Sequence, residues 1–208
     1  LFIQKIKVET QDFASLRGWL MARLLIGFTG RKQSGKTTAA KHLMKSGFVG
    51  LSFAHGIRMM LTGLLMTLGY GRIRIDELMN EDKEQSIPPF YKSCRQMMQL
   101  LGTEWGRDLI HPDIWVIAAR AQIERYGDAD IVFDDVRFEN EASMIRELGG
   151  LIIHVDRLGN DDNDRHRSED GIYDQTADRF IDNDGDLESF LTDVLIVVGG
   201  HDGKDRVE

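Results

Sequence analysis

Gly30-Arg31-Lys32-Gln33-Ser34-Gly35-Lys36-Thr37 fits the pattern GxxxxGK[ST] at every fixed position. The residue types at those positions are the ones a polyphosphate needs. Glycines let the backbone curl until successive N–H groups point at one anion, and a helix beginning near Lys36 adds the partial positive charge of its N-terminus. Lys36 would bridge the β- and γ-phosphates of a nucleoside triphosphate, and the Thr37 hydroxyl would be offered to Mg²⁺. Gly30, Ser34, Gly35 and Thr38 complete the cradle. Mg²⁺ also calls for a carboxylate nearby, and Ile131-Val132-Phe133-Asp134-Asp135 supplies one. Three apolar residues followed by aspartates read as a buried parallel strand with its acid at the carboxyl edge of the sheet. Either aspartate could be the ligand; a cap for the following segment is the alternative use of each.

These groups need a scaffold. Apolar runs too short for helices lie at 24–28, 48–53, 131–133, 151–155 and 179–181. Helix-length segments separate them, at 36–45, 56–68, 91–107, 113–125, 139–148 and 186–194. Alternation of this kind implies crossover connections, hence a parallel sheet covered on both faces, with the phosphate loop between the first strand and the first helix. Two polar stretches interrupt the rhythm. Residues 70–90 read as an excursion with one short helix. Residues 157–178, dense in charge, read as a lid or a solvated loop. The expected organisation is an N-terminal extension over 1–20, a kinase-like domain over 21–195 and a tail over 196–208.

Composition narrows the partners. The formal charge is −8 with the acidic residues spread along the chain, which argues against a nucleic-acid surface. A single cysteine, Cys94, cannot form an internal disulfide and points to a reducing, cytoplasmic setting. No run approaches the length of a membrane span, and the first twenty residues lack a signal-peptide core.

Beyond the loop, Arg95-Gln96-Met97-Met98-Gln99-Leu100-Leu101-Gly102-Thr103-Glu104-Trp105-Gly106-Arg107 and then Asp113-Ile114-Trp115-Val116 resemble the central signature of bacteriophage deoxynucleoside monophosphate kinases. Asp135-Val136-Arg137, with Glu141 four residues after Arg137, resembles the family's strand-end Asp-x-Arg. Ile153-His154-Val155 with Arg157, Asn163 to Glu169, and Asn183-Asp184-Gly185 follow in the family's order. The series spans Met21 to about Val194. It implies a P-loop NTPase fold of three α/β/α layers, with a five-stranded parallel sheet and a small lid. It also implies ATP and Mg²⁺ as cofactors, a deoxynucleoside monophosphate as acceptor, a homodimer, and the cytoplasm of a host cell. The pattern departs after the second strand, where Ala54-His55-Gly56-Ile57-Arg58 has Gly and Arg in place of the family's Pro and Lys.

An acceptor phosphate is already ionised at neutral pH, so transfer to it needs no general base. It needs alignment of two polyanions and positive charge around the transferring group. Arginines at helix starts, strand ends and in the lid meet that need. Arg95 is assigned to the acceptor phosphate and Arg137 to the phosphates near the transfer point. Arg157, Arg165 or Arg167 would close over ATP. The resemblance adds Asn183 to the ATP side, Arg58 and Gln99 to the acceptor side, and the Mg²⁺ role to Asp135. Trp115 either stacks on a nucleobase or packs in the core. Glu141 either reads a sugar or base edge or is an exposed helix charge. Rival readings are a phosphomevalonate or dephospho-coenzyme A kinase on the same fold, and a P-loop ATPase that gates an interaction.

Overall fold

The computed structural model describes residues 23–158 and 177–201. Its centre is a sheet of five parallel strands, β1 (Leu25–Thr29), β2 (Val49–Leu51), β5 (Ile131–Phe133), β6 (Leu151–Asp156) and β7 (Arg179–Asp182), in the order β2-β5-β1-β6-β7. β1 is buried along its whole length because neighbours flank it on both edges and helices cover both faces. That burial is why it reads as a continuous apolar run and not as an alternation.

On one face, α1 (Lys36–Lys45) and α7 (Leu187–Gly199) pack Ala39, Leu43, Phe190 and Val194 against Ile26, Phe28 and Ile153. On the other, α5 (Ile114–Arg125) and α6 (Glu139–Glu147) pack Ala119, Ile123, Ala142 and Ile145 against Leu25, Phe133 and Ile152. Gly27 leaves room for that second layer, since a Cβ there would lie 2.7 Å from Ile145 and 2.9 Å from Ile152 and Val136.

The short helix expected within 70–90 is present, but the stretch is not only a polar excursion: it contributes to a third core. α2 (His55–Thr67), α3 (Arg72–Asn80), the short hairpin β3 (Ser86–Ile87) and β4 (Lys92–Ser93), and α4 (Cys94–Gln99) enclose Leu61, Leu65, Ile75, Leu78, Ile87, Cys94 and Met97. Ile75, Leu78 and Met79 stand at helical spacing, a signal hidden by the charges between them.

The single helix expected over 91–107 is also replaced. Ser93 caps α4, accepting from Gln96 N–H while its own N–H donates to the Gln96 side chain, so no helix starts before it. From Leu100 the chain continues as a π-helix (Leu100–Ile110), a rare form that concentrates at functional sites. Gly102 and Gly106 make it fit: a Cβ on the first would meet Ile57 at 2.9 Å and on the second Trp115 at 2.7 Å. α7 runs past Val194 to Gly199, because Val198 extends the Phe190 and Val194 stripe into the first core. Residues 196–199 are therefore helix and not tail. No helix among the described residues is long and apolar enough to cross a membrane.

Candidate active site

The loop from Gly30 to Gly35 leaves the carboxyl edge of β1 and enters α1. Gly30 has φ 132° and Gly35 φ 117°, values costly for a residue with a Cβ. Space forbids one too: a Cβ on Gly30 would lie 2.2 Å from the Val155 carbonyl oxygen, and on Gly35 2.5 Å from Asn183 Nδ2. Asn183, placed by the end of β7, donates to the Ser34 carbonyl at 2.7 Å and so ties the loop to the far side of the sheet. Lys36 Nζ donates to the carbonyls of Gly30, at 2.7 Å, and Arg31, folding its ammonium back over the loop. A cleft of ≈ 300 Å³ opens beside it, lined in part by Lys36, Thr37, Thr38, Arg157, Asn183 and Phe190. Thus Arg157 and Asn183, 120 and more residues away in sequence, share one cleft with the loop. Arg165 and Arg167 lie outside the described residues.

Thr37 donates its hydroxyl hydrogen bond to Asp134 Oδ2 at 2.7 Å, bringing α1 and the end of β5 together. Asp135 faces elsewhere. Its carboxylate accepts from the Ser52 hydroxyl at 2.6 Å and from the backbone N–H groups of Phe53, at 3.1 Å, and Ala54, at 3.0 Å. Burial, and then the charge of Asp134, push the Asp135 carboxyl above its ordinary range against the pull of those three donors. Of the two aspartates, the one beside the loop is Asp134, paired with Thr37, while Asp135, the expected Mg²⁺ ligand, pins the start of α2. Side chains alternate, so only one of two adjacent aspartates leaving a strand can face the loop.

A second group of cations surrounds Lys83. Arg95, at the second position of capped α4, lies 3.6 Å from Glu84, and its backbone N–H donates to the Lys83 carbonyl at 3.1 Å. Arg58 donates to Asn80 Oδ1 at 3.2 and 3.3 Å. The ammonium of Lys83 is pulled below its ordinary pKa, first by burial and then by the charges of Arg58, Arg95, Lys32 and Arg137. Lys83 thus lies within electrostatic reach of four other cations. Arg58, Arg95 and Arg137, read from the sequence, are thus joined by Lys32 and Lys83, which were not. Lys32 occupies a variable position of the loop motif, and Lys83 is hidden in the acidic run from Asp76 to Glu84. Gln99 ends α4, half-buried.

Two acceptor-side candidates are corrected. Trp115 is 4% exposed and its indole N–H donates to the Gly102 carbonyl at 2.7 Å. The ring fills the space that Gly56 and Gly106 leave, so no face is open to a base. Glu141, 2% exposed, is neither a base reader nor an exposed helix charge. It pairs with Arg107 at 2.5 Å and accepts from the backbone N–H groups of Arg137 and Phe138.

Comparison with known proteins follows the same direction. Residues 70–194 match the family model described as deoxynucleotide monophosphate kinase, a stretch that begins after the phosphate loop. The chain is 32% identical over 192 residues to a candidate deoxynucleotide monophosphate kinase of Acanthamoeba polyphaga mimivirus, covering 84% of this chain and 96% of that one. It is 42% identical over 76 residues to a deoxynucleoside-5'-monophosphate kinase of Escherichia phage T5, covering 36% of this chain and 30% of that one. To the deoxynucleotide monophosphate kinase of Enterobacteria phage T4 it is 31% identical over 105 residues, 49% of this chain and 44% of that one.

Proposed function

The chain belongs to the deoxynucleotide monophosphate kinase family, and we propose that it moves the γ-phosphoryl group of ATP onto the phosphate of a deoxynucleoside monophosphate. The observation that carries the reading is that the phosphate loop, Arg157 and Asn183 line one cleft, while Lys32 of the same loop lies within electrostatic reach of Lys83 and its arginines. The cleft of Lys36, Thr38, Arg157 and Asn183 suits the donor triphosphate. The cations around Lys83 suit the acceptor phosphate.

In this arrangement an acceptor phosphate oxygen attacks the γ-phosphorus in line, the bond to the β,γ-bridging oxygen breaks, and ADP leaves. No proton has to be removed for the attack. Lys36 moves from the loop carbonyls to the β- and γ-phosphates, where its charge offsets that of the transferring group. Arg95 holds the acceptor phosphate and Arg137 faces the transfer point. Arg58 and Gln99 flank the acceptor, with Lys32 and Lys83 adding charge. Hard oxygen donors 2.7 Å apart fit Mg²⁺, so Thr37 and Asp134 would hold it, and it would supply neutralisation of phosphate charge. Two copies pairing, as the resemblance implies, would find apolar surface on α2, where Met59, Leu64 and Met66 are exposed.

The two aspartates give a direct check. Asp134→Asn is expected to raise the Mg²⁺ concentration for half-maximal turnover at least about tenfold with little change in melting temperature, because one charged ligand is lost from an exposed edge. Asp135→Ala is expected to lower the melting temperature, since it strands three donors at about 1–3 kcal/mol for each one buried. Magnesium titration of turnover beside thermal melting reads both. An Asp135 variant that melts like the wild type and demands more Mg²⁺ would reverse the assignment.

A further inference from the structure

One buried ion pair is not used by the reading above. Glu141 sits in the first turn of α6 and Arg107 near the end of the π-helix. One carboxylate oxygen accepts from Arg107 Nη2 at 2.5 Å, and the other from the N–H groups of Arg137, at 2.7 Å, and Phe138, at 3.1 Å. The Arg107 guanidinium lies 3.9 Å over the ring of Phe138, and its Nη1 donates to the Pro112 carbonyl at 3.3 Å. Asn140 bonds the same carbonyl and Asp113 Oδ1. The segment that carries Arg137 is thereby held from the π-helix, from the start of α5 and from α6.

We propose that Glu141, clamped by Arg107, is a positioning residue that sets the backbone of Arg137 and so aims its guanidinium at the transferring phosphoryl group. The inference rests on the reading of Arg137 as a phosphate ligand. Glu141 is the N3 residue of a capping box and satisfies the Phe138 N–H, but that cap needs neither burial nor an arginine partner. Buried ion pairs add little net stability compared with apolar packing, and their best-attested use is to specify one arrangement.

The ionised form of Glu141 is the one the clamp requires, and the fold resists it. Burial pushes this carboxyl up to about 7 from 4.5, with Arg107 opposing and the Asp135 charge assisting. A raised folded pKa means the folded chain holds the proton more tightly. This group therefore adds stability as pH falls from about 7 towards 4.5, while the clamped, ionised form prevails above 7. On this reading stability and kcat are expected to take opposite slopes with pH through Glu141, since only the ionised form makes the clamp.

The test is steady-state kinetics at pH 8, with thermal melting, on Glu141→Gln, Arg137→Ala and the double variant. Glutamine keeps the size and one acceptor but sets an amide against Arg107. Glu141→Gln is expected to lower kcat by about ten- to a hundredfold, the cost of a misplaced catalytic group, with both KM values little moved. In the Arg137→Ala background it should cost nothing further. Losses that multiply in the double variant, or a Glu141→Gln enzyme with wild-type kcat, would overturn the proposal. An Arg137→Ala enzyme of undiminished kcat would remove the reading of Arg137 on which it rests, a separate outcome. If Glu141→Gln does not fold, Arg107→Gln in the same two backgrounds breaks the pair from the other side and is judged by the same criterion.

Discussion

Lys36→Ala is expected to reduce phosphoryl transfer by at least on the order of a hundred- to a thousandfold, the usual result of deleting a charge aimed at the transition state. The fold should survive. Lys36 is half-buried and its ammonium donates to the carbonyls of Gly30 and Arg31 at the start of the loop. Those carbonyls can turn to water when it goes, so a shift of more than about 1 kcal/mol in stability is not expected. Single-turnover kinetics and thermal melting on the same preparation separate the two effects. More than a tenth of wild-type activity in the variant would remove the loop from the mechanism.

Arg95→Lys is expected to raise the apparent KM for the acceptor about ten- to a hundredfold with the ATP KM unchanged, because a hydrogen bond to a charged group contributes about 1.5–3 kcal/mol. Arg95→Ala should lower kcat as well, since a loosely held phosphate is seldom in line with the donor. The competing account is a structural ion pair, and one carboxylate beside it is Glu84, 3.6 Å away and 69% exposed. A pair with so exposed a partner is worth only about 0–1 kcal/mol. Loss of Glu84 alone should therefore cost little. A lowered melting temperature with an unchanged acceptor KM would refute the catalytic role.

How far the sequence reaches can be seen in particular elements. The five-stranded parallel sheet and the loop at its edge are legible because buried parallel strands and the fixed loop residues both write themselves into consecutive positions. Family membership is legible for a similar reason, since a collinear series of motifs needs no knowledge of contacts. The π-helix is not legible: its signal is a pair of glycines, and glycine reports only that space is short, not which helix will fill it. Glu141 and Trp115 illustrate the other limit. Residue type leaves Trp115 between a base and the core, and the core is where it lies; for Glu141 it offers a ligand group or an exposed charge, and the residue is neither, because its partner Arg107 lies 34 residues away. Asp134 and Asp135 differ only in which way the chain turns at the end of β5, a matter of register that neither composition nor motif records.

The central claim is that the phosphate loop serves two anion sites, one for ATP and one for a deoxynucleoside monophosphate. ADP release followed in a coupled assay, with ATP and Mg²⁺ present and each of the four deoxynucleoside monophosphates added in turn, tests it most directly. The account predicts negligible release without acceptor and release equal to diphosphate formed with at least one of the four. Equal release with and without every acceptor, or stimulation by dephospho-coenzyme A or phosphomevalonate and by none of the nucleotides, would contradict it.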